Sequence, residues 1–194
     1  MIDIRYFLDR QKGGREAAPA QPTCAPAPPP ARTTRIVKAG ERTVLALLGP
    51  TIESLTSQEE DSYCVMKGTI PPGVSVPLHS HGDAEGFYVL SGEAQVLLET
   101  DDGLEWKVLM PGDFVQIPSD AKHAWRNVSD QPMESLIITT PRLGRALREL
   151  GQPVPGCERR SATPEDIERW DEVNARYGYW MASPQENAEM GISL

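Results

Sequence analysis

Histidine and cysteine are both scarce in this chain, with three of each, and no long uninterrupted apolar run occurs. Each shortage removes a class of protein. Crossing a bilayer as a helix takes about 20 consecutive apolar residues, and no stretch approaches that length. The opening segment MIDIRYFLDRQKGG has Asp3, Arg5, Asp9 and Arg10 among its apolar residues, so it lacks the unbroken hydrophobic segment of a secretory signal. Cys24, Cys64 and Cys157 are odd in number, widely spaced and free of any CxxC pair, which argues against a disulfide framework, a zinc knuckle or a redox dithiol. Basic residues are in the minority: 19 Lys and Arg stand against 28 Asp and Glu, a net charge of −9, with no basic stripe to attract phosphates or anionic lipids. The expectation is a soluble, cytoplasmic protein that takes a small molecule, with no nucleic-acid and no membrane partner.

What the chain does contain falls into three parts. Its 194 residues suit one core with appendages. Residues 1–34 form an N-terminal arm and a Pro/Ala-rich linker, GGREAAPAQPTCAPAPPPA, too poor in large apolar groups to build a core. The arm itself carries Ile2, Ile4, Tyr6, Phe7 and Leu8, enough apolar surface to dock on a partner subunit or to remain a loosely attached terminus. Residues 35–141 read as short strands punctuated by Gly, Pro and Asp, an all-β texture. The predicted strands are 43–48, 52–56, 63–70, 76–81, 86–90, 94–99, 105–109, 114–117, 123–127 and 134–139. Ten short strands at that spacing suit an antiparallel β-barrel or jelly roll, which protects the edges that an open sheet exposes.

After Pro141 the period changes, and residues 142–194 read as a C-terminal tail with two short helices. Leu143, Leu147 and Leu150 recur at helical spacing with Gly151 as the stop. Arg142, Arg145 and Arg148 lie on the opposite face, read as the solvated side in preference to an anion clamp. A second helix starts with Thr163 as N-cap and Pro164 at the first position. Its stripe of Ile167, Trp170, Val173 and Tyr177 either covers the barrel mouth as a lid or, in the commoner use, packs on the barrel exterior or across a dimer.

All three histidines fall in the β region, two of them in the cluster H-S-H-G-D-A-E. Alternate strand residues share a face, so His79 and His81 project together, about 7 Å apart along the backbone. Gly82 and Asp83 favour a tight turn that returns Glu85 to the same interior. Two imidazoles and a carboxylate form a face of ligands for one divalent metal ion, with Fe(II) favoured and Mn, Ni, Co, Cu or Zn also compatible.

Residues 73–92, GVSVPLHSHGDAEGFYVLSG, resemble the first signature of the cupin superfamily, G-x5-H-x-H-x3-E-x6-G, at Gly73, His79, His81, Glu85 and Gly92. Residues 112–127 resemble the second, G-x5-P-x-G-x2-H-x3-N, at Gly112, Pro118, His123 and Asn127, with Asp120 replacing a glycine. Asp tolerates positive φ, so that departure leaves the turn possible. The resemblance implies a cupin barrel that holds its metal with His79, His81, Glu85 and His123, and it makes a homodimer the expected assembly. By parity Phe87, Val89 and Trp125 face the interior, with Phe87 and Trp125 lining a pocket and Val89 filling the core. The ligand set is similar to that of quercetinase-like cupins, which implies a metal-dependent dioxygenase acting on a small enolisable or aromatic substrate, with Glu85 as catalytic base. The alternatives keep the metal for isomerase, lyase or decarboxylase chemistry, or reduce the protein to a small-ligand-binding module.

Overall fold

All ten predicted strands form. In the computed structural model, which describes residues 34–56, 62–154 and 163–192, they are β1 (Val44–Ala46), β2 (Thr51–Ser54), β3 (Cys64–Ile70), β4 (Ser75–Ser80) and β5 (Glu85–Ser91). They continue as β6 (Ala94–Thr100), β7 (Gly103–Leu109), β8 (Phe114–Ile117), β9 (His123–Arg126) and β10 (Met133–Thr139). The tail adds α1 (Pro141–Leu150), β11 (Gln152–Pro153), α2 (Pro164–Tyr177), β12 (Trp180–Met181) and α3 (Pro184–Glu189). The N-terminal arm and Pro/Ala tract, with Cys24 and Cys157, lie outside the described residues.

The strands make a jelly roll, one of the two expected forms, as two antiparallel sheets. One has the order β11-β1-β2-β3-β10-β5-β8 and the other β12-β4-β9-β6-β7. Alternation in β3 and β10 sends Met66, Met133 and Ile137 inward, where they meet Val89, Val96, Ile117 and Trp125 from the other strands. That apolar layer is what the period-2 pattern encodes. Gly92 turns β5 into β6 with φ 73°, and a Cβ there would lie 2.3 Å from the Pro132 carbonyl oxygen, so both backbone conformation and close approach require glycine. Asp120 adopts φ 66°, the left-handed turn expected of it. Asn127 is fully buried: its amide donates to the carbonyls of Ile70 and Gln131 and accepts from Ser129, stapling two loops.

The tail is more extensive than the sequence suggested. α1 starts on Thr140, whose hydroxyl accepts from the Leu143 amide. Gly151 ends it, but with φ −73° and no left-handed turn. Its glycine is required by packing instead, since a Cβ would sit 2.7 Å from the Leu45 Cβ. α2 begins with the predicted Thr163 and Pro164, completed by a capping box with Asp166. Two short strands and α3 were not predicted. β12 pairs antiparallel with β4, setting Trp180 opposite Ser80 and Met181 opposite His79, and so covers an edge that would otherwise be open. α3 secures this arrangement through Asn187, which is fully buried, donates to the carbonyls of Ala182 and Ser183, and accepts from the Leu78 amide. No helix among the described residues is long and apolar enough to cross a membrane.

Candidate metal centre

The histidines converge from two neighbouring strands. His79 on β4 lies opposite His123 on β9 as a cross-strand pair, with ring centroids 4.1 Å apart. A register shift between Val76 and His79 accompanies Pro77, which has no amide hydrogen to give the ladder. The Pro77 carbonyl instead accepts from His79 Nδ1 at 2.8 Å. His81 sits just beyond the end of β4, its ring 5.5 Å from His79 and 5.2 Å from His123. The turn through Gly82 and Asp83 then starts β5 at Glu85, as predicted. Glu85 Oε2 lies 3.3 Å from His123 Nε2 and 3.7 Å from His81 Nε2.

The donor set fits a cation by its hydrogen bonding. Each ring fixes its Nδ1 on a backbone carbonyl: His79 on Pro77 at 2.8 Å, His81 on Asp83 at 2.9 Å and His123 on Ala121 at 3.0 Å. A carbonyl only accepts, so Nδ1 carries the hydrogen and Nε2 keeps a bare lone pair. The Nε2 atoms of His81 and His123 are buried with no hydrogen-bond partner. Two lone pairs and a carboxylate oxygen thus face one another in an apolar interior. A proton or a metal ion would relieve that opposition. One ligating atom from each of His79, His81 and His123 lies within 4.8 Å of the others, a cluster that could hold a metal ion.

Electrostatics favour the neutral imidazoles that coordination needs. Burial lowers all three histidines from their ordinary value; in His79, to about 3, the neighbouring His123 and His81 add to the effect. Burial likewise raises Glu85, against the pull of His81 and His79. Without a cation the site prefers to be uncharged.

Two cavities flank the cluster, and His79 and Glu85 line both. The first, about 90 Å³, lies between the sheets and is walled by Phe87, Trp125, Met133 and Ile137. Phe87 and Trp125 take the predicted pocket-lining positions with ring centroids 4.6 Å apart, and Val89 is wholly buried in the core. The second, about 80 Å³, lies between the cluster and the tail, walled by Leu143, Leu147, Trp170, Asn174 and Tyr179. Of the predicted α2 stripe, Trp170 reaches this cavity and Val173 is buried, whereas Ile167 is half exposed. The helix thus takes the covering role that the sequence reading ranked second.

Asp83, predicted only as a turn residue, joins cluster to tail. Its Oδ1 accepts from Thr140 at 2.5 Å, and its Oδ2 from Arg142 Nη1 at 2.6 Å and from the Tyr179 hydroxyl at 3.0 Å. Burial and the Asp83 carboxylate push the Tyr179 phenol up, keeping it a protonated donor. Of the arginines read as a solvated face, Arg145 is exposed, Arg142 holds Asp83, and Arg148 reaches Ser54 and the buried Cys64.

Residues 66–139 match the family model for the cupin domain. This segment is thus similar to a cupin domain. Over 78 residues the chain is 36% identical to a dimethylsulfoniopropionate lyase, DddQ, of Ruegeria pomeroyi. That match spans 40% of this chain and 37% of the relative. A crystal structure of the Ruegeria pomeroyi lyase aligns at 28% identity and TM-score 0.41, over 54% of this chain and 50% of that one. A predicted oxalate decarboxylase from Thermotoga maritima aligns at 25% identity and TM-score 0.47, over 55% and 98%. The His/Glu cluster lies inside the cupin segment; α2, β12 and α3 lie beyond it.

Proposed function

We propose that this chain is a metal-dependent cupin lyase, acting on a small organic acid with a leaving group β to its carboxylate. The observation that carries the reading is the Glu85 carboxylate, buried beside two unpartnered imidazole nitrogens and bordering both apolar cavities. The identity shared with a dimethylsulfoniopropionate lyase supports lyase over other metal chemistry. His79, His81, His123 and Glu85 would hold the ion. A divalent cation supplies Lewis-acid polarisation of a substrate oxygen. The chain supplies the rest: its burial makes Glu85 a stronger base than an exposed carboxylate, and the enclosed walls exclude water. On dissociation from the ion, the Glu85 carboxylate would take the proton from the carbon next to the substrate carboxylate; the C–H electron pair would become the new double bond and the leaving group would depart with its own pair.

The second reading is oxidative, favoured by the same His/Glu set and by the aromatic wall of Phe87 and Trp125: a dioxygenase of enolisable or aromatic substrates, again with Glu85 removing a proton. Oxygen separates the two. Protein reconstituted with Fe(II), Mn(II) or Ni(II) is incubated anaerobically with dimethylsulfoniopropionate and related β-substituted acids, and aerobically with flavonols and diketones. The lyase reading expects an unsaturated acid without oxygen, and turnover lost in Glu85→Gln while metal content is partly retained. Oxygen consumption that tracks product, with nothing formed anaerobically, would reject it in favour of the oxidative reading.

A further inference from the structure

The cavity beneath α2 contains an unanswered polar group. Asn174 lies on α2, is 5% exposed and lines the cavity, and its amide nitrogen is buried without a hydrogen-bond partner. Its backbone carbonyl is engaged in ending the helix, accepting from Gly178 and Tyr179, so the side chain is not needed as a cap. A helix-interior Asn costs helix propensity relative to Leu, and a buried donor without an acceptor costs more. Around it the wall is Leu143, Leu147, Leu150 and Trp170, with the His/Glu cluster at the border.

We infer that this cavity is a substrate subsite in which the Asn174 amide donates to a neutral carbonyl-type oxygen on a short apolar arm of the ligand. One neutral N–H in an apolar wall can satisfy a ketone, ester or amide oxygen, but it cannot compensate a buried carboxylate. The charged end of the ligand therefore belongs at the metal cluster and the neutral acceptor under the helix. At about 80 Å³ the space is roughly half that of a 150 Å³ cavity known to hold benzene, which limits the arm to a few heavy atoms. The preferred ligand class is then a small acid carrying a second, uncharged carbonyl, a feature that dimethylsulfoniopropionate lacks. This assignment rests on the reading of the His/Glu cluster as a metal site with substrate beside it, and is indifferent to which reaction follows.

The test is isothermal titration of full-length protein, Zn²⁺-loaded and metal-free, with 4-oxopentanoate against pentanoate and 5-oxohexanoate against hexanoate. Each pair differs by one ketone oxygen. Wild type is expected to prefer at least one oxo acid by about tenfold, and Asn174→Leu to lose that preference. The unliganded Asn174→Leu protein should melt no lower than wild type, because the substitution removes a donor that has no acceptor. Asn174→Ala, which lacks the donor, should also lose the preference, and serves if the Leu variant does not fold. Equal binding within each pair, no binding of any of the four acids, or a preference that survives both substitutions would overturn the inference. Failure of the metal reading looks different: no Zn²⁺ is taken up, while the oxo-acid preference and its dependence on Asn174 are still read in the metal-free protein.

Discussion

The cupin segment and the C-terminal tail build one site by opposite means. In the segment, ligand positions follow from short-range geometry: a strand pair sets His79 against His123, and a tight turn returns Glu85 beside them. In the tail nothing local points to a site, and Trp170, Asn174 and Tyr179 reach the second cavity only because α2 packs against α1 and β12 adds to β4. The segment therefore supplies the candidate ligands, and the tail supplies the enclosure.

That contrast can be broken most severely at the cluster. Replacing His123 by Ala should weaken Zn²⁺ binding by more than about 100-fold, since loss of an outer-shell partner alone costs about 10–100-fold. Fluorescent-chelator competition measures it, and an unchanged affinity would remove His123 from the ligand set. Next comes the joint between the regions. Asp83→Ala leaves Thr140, Arg142 and Tyr179 without their shared acceptor, an expected loss of about 3 kcal/mol in urea unfolding; the Arg142 share is discounted because that side chain is 44% exposed. A Tm within a degree of wild type would mean that the joint contributes nothing.

The pH dependence sharpens the comparison further, since its cause lies in the cluster alone. The folded histidines have lowered pKa values, so below the ordinary 6.5 the unfolded chain binds more protons than the folded one. Stability from these groups is complete above pH 6.5 and is lost as pH falls toward the folded value, about 3 for His79. Glu85, raised from 4.5, acts with the opposite sign, but it is one group against three. Metal-free protein should therefore melt roughly 5 °C lower at pH 5 than at pH 7, whereas a His79→Gln variant should show a shallower slope. Tyr179→Phe gives the smallest effect, about 1 kcal/mol in urea unfolding from one lost hydrogen bond to Asp83.

The sequence made the segment legible and left the tail mostly unread, for physical reasons. Period-2 alternation and turn residues report contacts between neighbouring strands, so all ten strands and the inward positions of Phe87, Val89 and Trp125 could be derived before any coordinates. Of the barrel or jelly roll expected from the same pattern, the two-sheet jelly roll forms; strand count alone does not choose between them. In the tail, Thr163 and Pro164 announced α2 correctly, but its covering role depends on a packing partner far away in sequence. Asp83 was hidden for a different reason: its turn-forming character explained its presence fully, and only the distant Arg142 and Tyr179 reveal its second use. Asn174 left one faint mark, a polar amide within a helix with no capping duty.

β12 lies along β4 with Met181 beside His79, so the last strand of the tail is laced to the first ligand-bearing strand. If the His/Glu cluster holds a cation, its retention and the packing of the tail on β4 would be coupled. By reciprocity, whatever stability an ion confers on the tail, the tail returns in affinity for the ion. Amide hydrogens of Trp180 to Ala182 should accordingly exchange more slowly when Zn²⁺ is bound, and clipping the chain before β12 should hasten escape of the ion.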